Sequence, residues 1–212
     1  RGMSSAASDV YKRQNMGCPA KKVCKRAAGS ALLKEPELVN KILMSVVDAV
    51  EVPVTLKIRT GWDKTTINAI QIAKIAENAG ISALAIHGRT RACRFVGEVE
   101  YETIARVAES ISIPVFANGD IDSPKKAKDV IEKTGATAVM IGRSALGKPW
   151  IFDQINEYLS HGTLYRKPSK EEIQKIVMTH LKSIHKFYGE STGLKFARKH
   201  MNWYLGNFND GK

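Results

Sequence analysis

Four short apolar, β-branched runs recur at nearly equal spacing along the middle of this chain, with helical periodicity between them. That alternation limits the fold more than any other feature. The runs are Val54-Thr55-Leu56-Lys57-Ile58, Ala83-Leu84-Ala85-Ile86-His87, Ile113-Pro114-Val115-Phe116-Ala117 and Ala138-Val139-Met140-Ile141-Gly142, and they start 29, 30 and 25 residues apart. Leu38, Val39, Ile42, Leu43, Val46, Val47 and Val50 share one helical face after Pro36, and Ile67, Ile70, Ala73 and Ala76 precede a stop at Gly80. A third helix is expected near Tyr101–Glu109, with Ile104, Val107 and Ala108 apolar. A fourth lies between Ser123-Pro124, an N-cap followed by proline at the first helical position, and a C-terminal Gly135. Strand–helix units at this period, with strands apolar on both faces, predict a parallel α/β sheet. A barrel and an open doubly wound sheet both satisfy the pattern.

After the last run the pattern becomes helical. Pro149–Leu159 carries Trp150, Ile151, Ile155, Tyr158 and Leu159 and ends at Gly162, and Leu164–Pro168 reads as a linker. Ser169-x-x-Glu172 is a capping box that opens a helix with Ile173, Ile176, Val177, Leu181 and Ile184 on one face. Residues 1–14 show neither periodicity nor strand character. The expected division is therefore 1–14 unassigned, 15–163 the α/β part, and 164–212 a helical part.

Charge is placed unevenly along this division. The chain carries 33 Lys and Arg against 21 Asp and Glu, a formal net charge of +12, and 43% of its residues are hydrophobic. Residues 1–30 and 165–212 each hold a net +6, while 31–164 hold sixteen charges of each sign. A neutral scaffold with basic flanks suits a polyanion, since phosphate neutralisation supplies most non-specific nucleic-acid affinity; solvated surface lysine is the plainer alternative. No window approaches the roughly 18 apolar residues of a membrane span, and the first thirty residues lack a signal-peptide core, so a cytoplasmic protein without membrane contact is expected. Cys18, Cys24 and Cys93 suit neither a disulfide framework nor zinc spacing, His180 and His185 lie off one helical face, and no HExxH occurs. No metal is expected.

In parallel α/β folds chemistry gathers at the C-terminal ends of strands. Here those ends carry Lys57 and Arg59, then His87-Gly88-Arg89, then Asn118-Gly119-Asp120, then Gly142-Arg143. Gly119 lets backbone approach a ligand, and Gly142-Arg143-Ser144 is expected to open a helix whose N-terminus favours a phosphate. Cys18 sits between Gly17 and Pro19, in a loop after what would be a further strand, beside Lys21 and Lys22.

Read in order, NMGCPAKKV, AGSALL, VPVTLKIRTGW, IHGRTRAC, IPVFANGDI, MIGRSALGKPWIF and ARKHMNWYL closely resemble the tRNA-dihydrouridine synthases, above all their bacterial B-type branch, from Asn15 to about Leu205. The resemblance implies FMN-dependent reduction of uridine to 5,6-dihydrouridine in tRNA, with NADPH as electron donor. Cys18 matches the family's proton donor to uracil C5, while hydride passes from the flavin to C6. A thiol, with a reference pKa of about 8.5, is mostly protonated at neutral pH and can act as an acid. Lys57, His87, Asn118, Gly119, Asp120, Gly142 and Arg143 match positions that bind FMN through its ring or its phosphate. Arg89, with Lys195, Arg198 and Lys199, is expected to meet tRNA. Cys24 and Cys93 read as structural.

The implied fold is a TIM barrel followed by a helical tRNA-binding domain, the intact protein being a monomer. By the family pattern the first three strand–helix units are absent, with their Pro-Met-Ala flavin loop and a glutamine facing the ring, and the C-terminal helices stop short. The expected architecture is thus the C-terminal half of the barrel and a truncated helical domain. Two other functions fit parts of the chain: an FMN-dependent barrel enzyme acting on a free pyrimidine, and a non-catalytic tRNA-binding module.

Overall fold

The computed structural model describes residues 10–164 and 166–209. The chain divides into two compact units, one holding everything up to Gly119 together with Asp129–Met140, the other holding Asp120–Lys128 and everything from Ile141 onward. The division does not follow the expected boundary at 163/164. Trp150 explains the difference: it is buried with Ile173 and Tyr204, with Ile176 and Val177 packed against them, which joins the segment around Trp150 to the C-terminal helices.

The first unit is built on five parallel strands, β1 (Lys12–Asn15), β2 (Val54–Arg59), β3 (Ala83–His87), β4 (Val115–Asn118) and β5 (Ala138–Met140), paired in sequence order. Between them in the chain run α1 (Lys21–Cys24), α2 (Pro36–Asp48), α3 (Ala69–Asn78), α4 (Glu102–Ser110) and α5 (Pro124–Thr134), the last beginning among residues of the second unit. A doubly wound sheet must reverse its strand order at a switch point, whereas a (β/α)8 barrel adds each strand beside the last. Sequential order over all five strands therefore selects an arc of a barrel from the two architectures open at the outset.

Burial follows position in that arc. Every residue of β3 is buried, while β1 alternates half-buried and exposed, and β5 is half-buried throughout. Leu56, Ile58, Leu84 and Ile86 form the centre, with Leu43, Ile72, Ile104 and Val107 from the covering helices. Only Val39 and Leu43 of the apolar stripe on α2 are buried, and Leu38 is exposed.

The strand at Lys12–Asn15 is the further strand expected before the Cys18 loop, and it reaches back into residues left unassigned in the sequence; residues 1–9 lie outside the described residues. Lys-Arg-Gln-Asn has no apolar alternation. Backbone pairing holds it, with Lys12 N–H donating to Pro53 C=O at 2.9 Å and Met16 N–H to Lys57 C=O at 2.8 Å. An edge strand with exposed side chains tolerates such a sequence.

In the second unit α6 (Ile151–His161) ends at Gly162 in the left-handed region, φ 71°. α7 (Lys170–Asn209) is interrupted at Gly189, φ 74° and ψ 174°, so it is two helices, 170–188 and 190–209. The capping box at its start is formed: Glu172 N–H donates to Ser169 Oγ at 3.3 Å, and Ser169 N–H donates to Glu172 Oε2 at 2.7 Å. No helix among the described residues is long and apolar enough to cross a membrane.

Candidate functional site

The C-terminal ends of β2, β3 and β4 lie side by side, because Arg59 pairs with His87 and His87 with Asn118 in register. Lys57 Nζ donates to Asn118 Oδ1 at 2.8 Å, and Asn118 Nδ2 donates to the Met140 carbonyl at 2.8 Å. Asn118 thus orients Lys57 and ties β4 to β5. Burial first, then the charges of Arg59 and Arg13, lowers the Lys57 pKa to about 8. A lysine so placed keeps its charge at neutral pH, with two of its three donor protons beyond the bond to Asn118.

Gly119 follows at φ 132°, where a Cβ would stand 2.8 and 3.0 Å from the Val99 methyls and 3.3 Å from His87 Cδ2. Its carbonyl accepts from Tyr101 Oη at 2.6 Å. The turn beside buried His87 is therefore fixed by a contact no sequence motif announced.

Cys18 lies half-buried in the loop after β1. Its carbonyl accepts from Ser30 N–H at 3.0 Å and from the Cys24 thiol at 3.6 Å. Gly29, at φ 61°, packs so closely that a Cβ there would come 2.7 Å from that carbonyl. Glycine is the residue that fits.

Arg59, which the sequence places at a strand end without a role, proves central. It is 3% exposed and joins two loops: Nε donates to Gly17 C=O at 3.0 Å, while Nη1 donates to Thr90 C=O at 2.9 Å and to Arg94 C=O at 2.7 Å. Burial, with Arg89 beside it, pushes its pKa down, and Cys93 and Cys18 push it back. Arg89 is also 3% exposed and donates through Nε and Nη2 to Gly97 C=O. A phosphate contact needs a displayed guanidinium, so the expectation of Arg89 as a tRNA contact is corrected: it braces the loop after β3.

The second unit holds the remaining expected residues. Asp120 adopts φ 44°, and its Oδ1 accepts from Arg143 Nη2 at 2.5 Å, with both side chains largely exposed. Gly142-Arg143-Ser144 does not open a helix as expected. Arg143–Ala145 is a single 3-10 turn after Gly142 at φ −116° and ψ −109°, and α6 starts only at Ile151. The chain turns away at Leu146, so the run is too short to project a helix dipole.

Lys195, Arg198 and Lys199 are exposed on the 190–209 helix at positions i, i+3 and i+4. Lys199 Nζ lies 5.1 Å from the Trp203 ring centroid. Tyr204 is buried and shares a hydrogen bond with His180 Nδ1, 3.1 Å away. Phe196 is 42% exposed and stacks on Tyr188 of the preceding helix at 4.4 Å. Beside this hairpin is a cavity of about 530 Å³ lined by Leu146, Lys175, Ile176, His180, His200 and Tyr204. Burial, with His180 and Lys199 near it, holds His200 below the usual imidazole pKa.

Comparison with known proteins adds a family to this geometry. Residues 14–212 match the model of the dihydrouridine synthase (Dus) family. A tRNA-dihydrouridine synthase B of Pseudomonas syringae pv. tomato is 59% identical over 191 residues, which cover 90% of this chain and 57% of that protein. Proteins of the same name from Vibrio vulnificus and Pseudomonas aeruginosa are 59% and 60% identical over 90% of this chain and 59% and 58% of their own lengths. The chain thus spans less than three fifths of these relatives. With a match that starts inside β1 and runs through the Cys18 loop, the strand-end residues and the helical hairpin, the chain belongs to the dihydrouridine synthase family.

Proposed function

We infer that the whole protein reduces uridine to 5,6-dihydrouridine in tRNA, and that this chain supplies its proton donor and much of its cofactor and RNA contact. The observation that carries the reading is the C-terminal end of the sheet: a charged Lys57 oriented by Asn118 next to His87, on the same unit as a Cys18 loop fixed through Ser30 and Arg59.

The residues fit FMN by their chemistry. Lys57 has donor protons left for a carbonyl or anionic ring atom, and the left-handed Gly119 brings backbone close without a side chain. Lys57, His87, Asn118, Gly119, Asp120, Gly142 and Arg143 are read as holding it through its ring or its phosphate. Asp120 steers Arg143, and an incoming phosphate would share that guanidinium. When bound there, FMN would supply hydride-transfer chemistry toward uracil C6, with NADPH as its electron donor. Cys18 gives its thiol proton to C5, and Arg59 keeps the Cys18 loop in position through the Gly17 carbonyl. Lys195, Arg198 and Lys199 take tRNA phosphates. The whole protein is read as a cytoplasmic monomer.

Replacing Arg143 by Ala in the intact protein should strip flavin from the purified enzyme. Unchanged yellow colour and absorbance would refute the cofactor assignment. Binding of tRNA without binding of free pyrimidines separates this reading from that of a pyrimidine-reducing barrel enzyme.

A further inference from the structure

We propose that the loops after β1, β2 and β3 form an RNA-phosphate surface organised by Trp62, in addition to the cationic helix face at Lys195, Arg198 and Lys199. Such a surface presupposes tRNA as the substrate.

Trp62, in the loop after β2, holds two cations. The Arg91 guanidinium carbon lies 4.3 Å from its ring centroid and Lys34 Nζ lies 5.1 Å from it. The loops carrying Trp62 and Arg91 are tied together, Arg91 N–H donating to Gly61 C=O and Ala92 N–H to Trp62 C=O, both at 2.9 Å. Arg91 Nε is buried and has no hydrogen-bond partner among the described residues.

An aromatic face attracts a cation through its quadrupole and leaves the charge intact, whereas a carboxylate neutralises it. Arg91 and Lys34 are therefore positioned without being cancelled. Arg143 on Asp120 and Arg166 on Glu172 are the opposite case.

Lys34 ends the 3-10 turn Gly29–Lys34, whose Ser30 N–H donates to the Cys18 carbonyl. Between Cys18 and that turn, Lys21, Lys22, Lys25 and Arg26 are all exposed, and none has an ion pair among the described residues. No acidic residue occurs from Val10 to Lys34. Six uncancelled cations thus stand on segments bonded to the Cys18 loop or to one another. A regularly spaced polyanion matches that surface, and the phosphates flanking the reactive uridine are the polyanion that Cys18 must approach.

The test uses this chain and an unmodified tRNA transcript, with binding followed by fluorescence anisotropy across a salt series. A variant carrying Lys34→Gln and Arg91→Gln should weaken binding and flatten the log–log salt dependence by about 0.7–0.9 for each phosphate no longer neutralised. Trp62→Leu, which keeps every cation, should weaken binding about three- to tenfold at low salt because the two charges lose their fixed placement. Near-UV circular dichroism checks that Trp62→Leu folds; if it does not, the double variant alone decides. Wild-type affinity and slope in the double variant overturn the proposal while leaving the tRNA reading intact. Failure of the unaltered chain to bind tRNA overturns both.

Discussion

Two groups of cations in this molecule are treated in opposite ways. At the C-terminal end of the sheet in the first unit, Lys57, Arg59 and Arg89 are sunk among backbone carbonyls and one amide, so each has one position and almost no freedom. On the helical hairpin of the second, Lys195, Arg198 and Lys199 stand in solvent, where their charge reaches outward and is screened by salt. A buried cation is expensive to desolvate and is useful only where an atom must be held in place. An exposed cation costs little and suits a partner recognised by charge density. The contrast assigns chemistry to the first group and RNA attraction to the second.

The largest expected effect tests the chemical side. In the intact protein Cys18→Ala should lower dihydrouridine formation by about 10²–10⁴-fold, the usual worth of a positioned general acid, while NADPH oxidation continues. Wild-type turnover would remove Cys18 from its role.

Arg59→Ala comes next, and it sharpens the comparison directly. It leaves the carbonyls of Gly17, Thr90 and Arg94 without their donor, and unsatisfied buried groups cost about 1–3 kcal/mol each. A loss of about 3–5 kcal/mol in urea unfolding is expected, against less than about 0.5 kcal/mol for Arg198→Ala on the exposed face. Equal effects would erase the distinction between the two kinds of cation.

A pH series gives a smaller effect with a defined sign. Lys57 titrates at about 8 when folded and at its ordinary 10.5 when unfolded, so between these values the unfolded chain binds more protons. Lys57 therefore makes stability rise with pH across that window, the full cost of burying its charge being present below about 8. Flavin retention should move the other way, weakening as pH climbs through about 8 and the ammonium is lost. Retention that stays level from about pH 7 to about pH 10 would separate Lys57 from the cofactor. The smallest effect belongs to the cap: Ser169→Ala should cost about 1 kcal/mol and leave flavin content unchanged, as read by thermal unfolding.

Much of this is legible in the sequence alone. Runs such as Ala83–His87 carry their strand character in β-branched and apolar side chains, and Ser169-x-x-Glu172 announces a cap because both side chains act locally. The strand before Cys18 is legible only from its place in the repeat and not from Lys12–Asn15 themselves, since it is imposed by pairing with β2. Gly142-Arg143-Ser144 looks like a helix start because glycine and a cation suit one, but the chain turns away after three residues. Arg89 and Arg59 look like solvent groups in isolation, and only the folding of residues 90–97 over them makes them structural. The Lys34, Trp62 and Arg91 cluster depends on three loops meeting, which no local pattern encodes.

The division of labour between buried and exposed cations is tested most directly by charge reversal at Arg198 and Lys199 in the intact protein, with tRNA affinity and bound flavin measured on the same preparation. The expected result is a steep loss of tRNA binding at low salt, little loss at high salt, a salt slope flatter by about 0.7–0.9 per phosphate released, and unchanged flavin content. Unchanged tRNA affinity together with lost flavin would contradict that division.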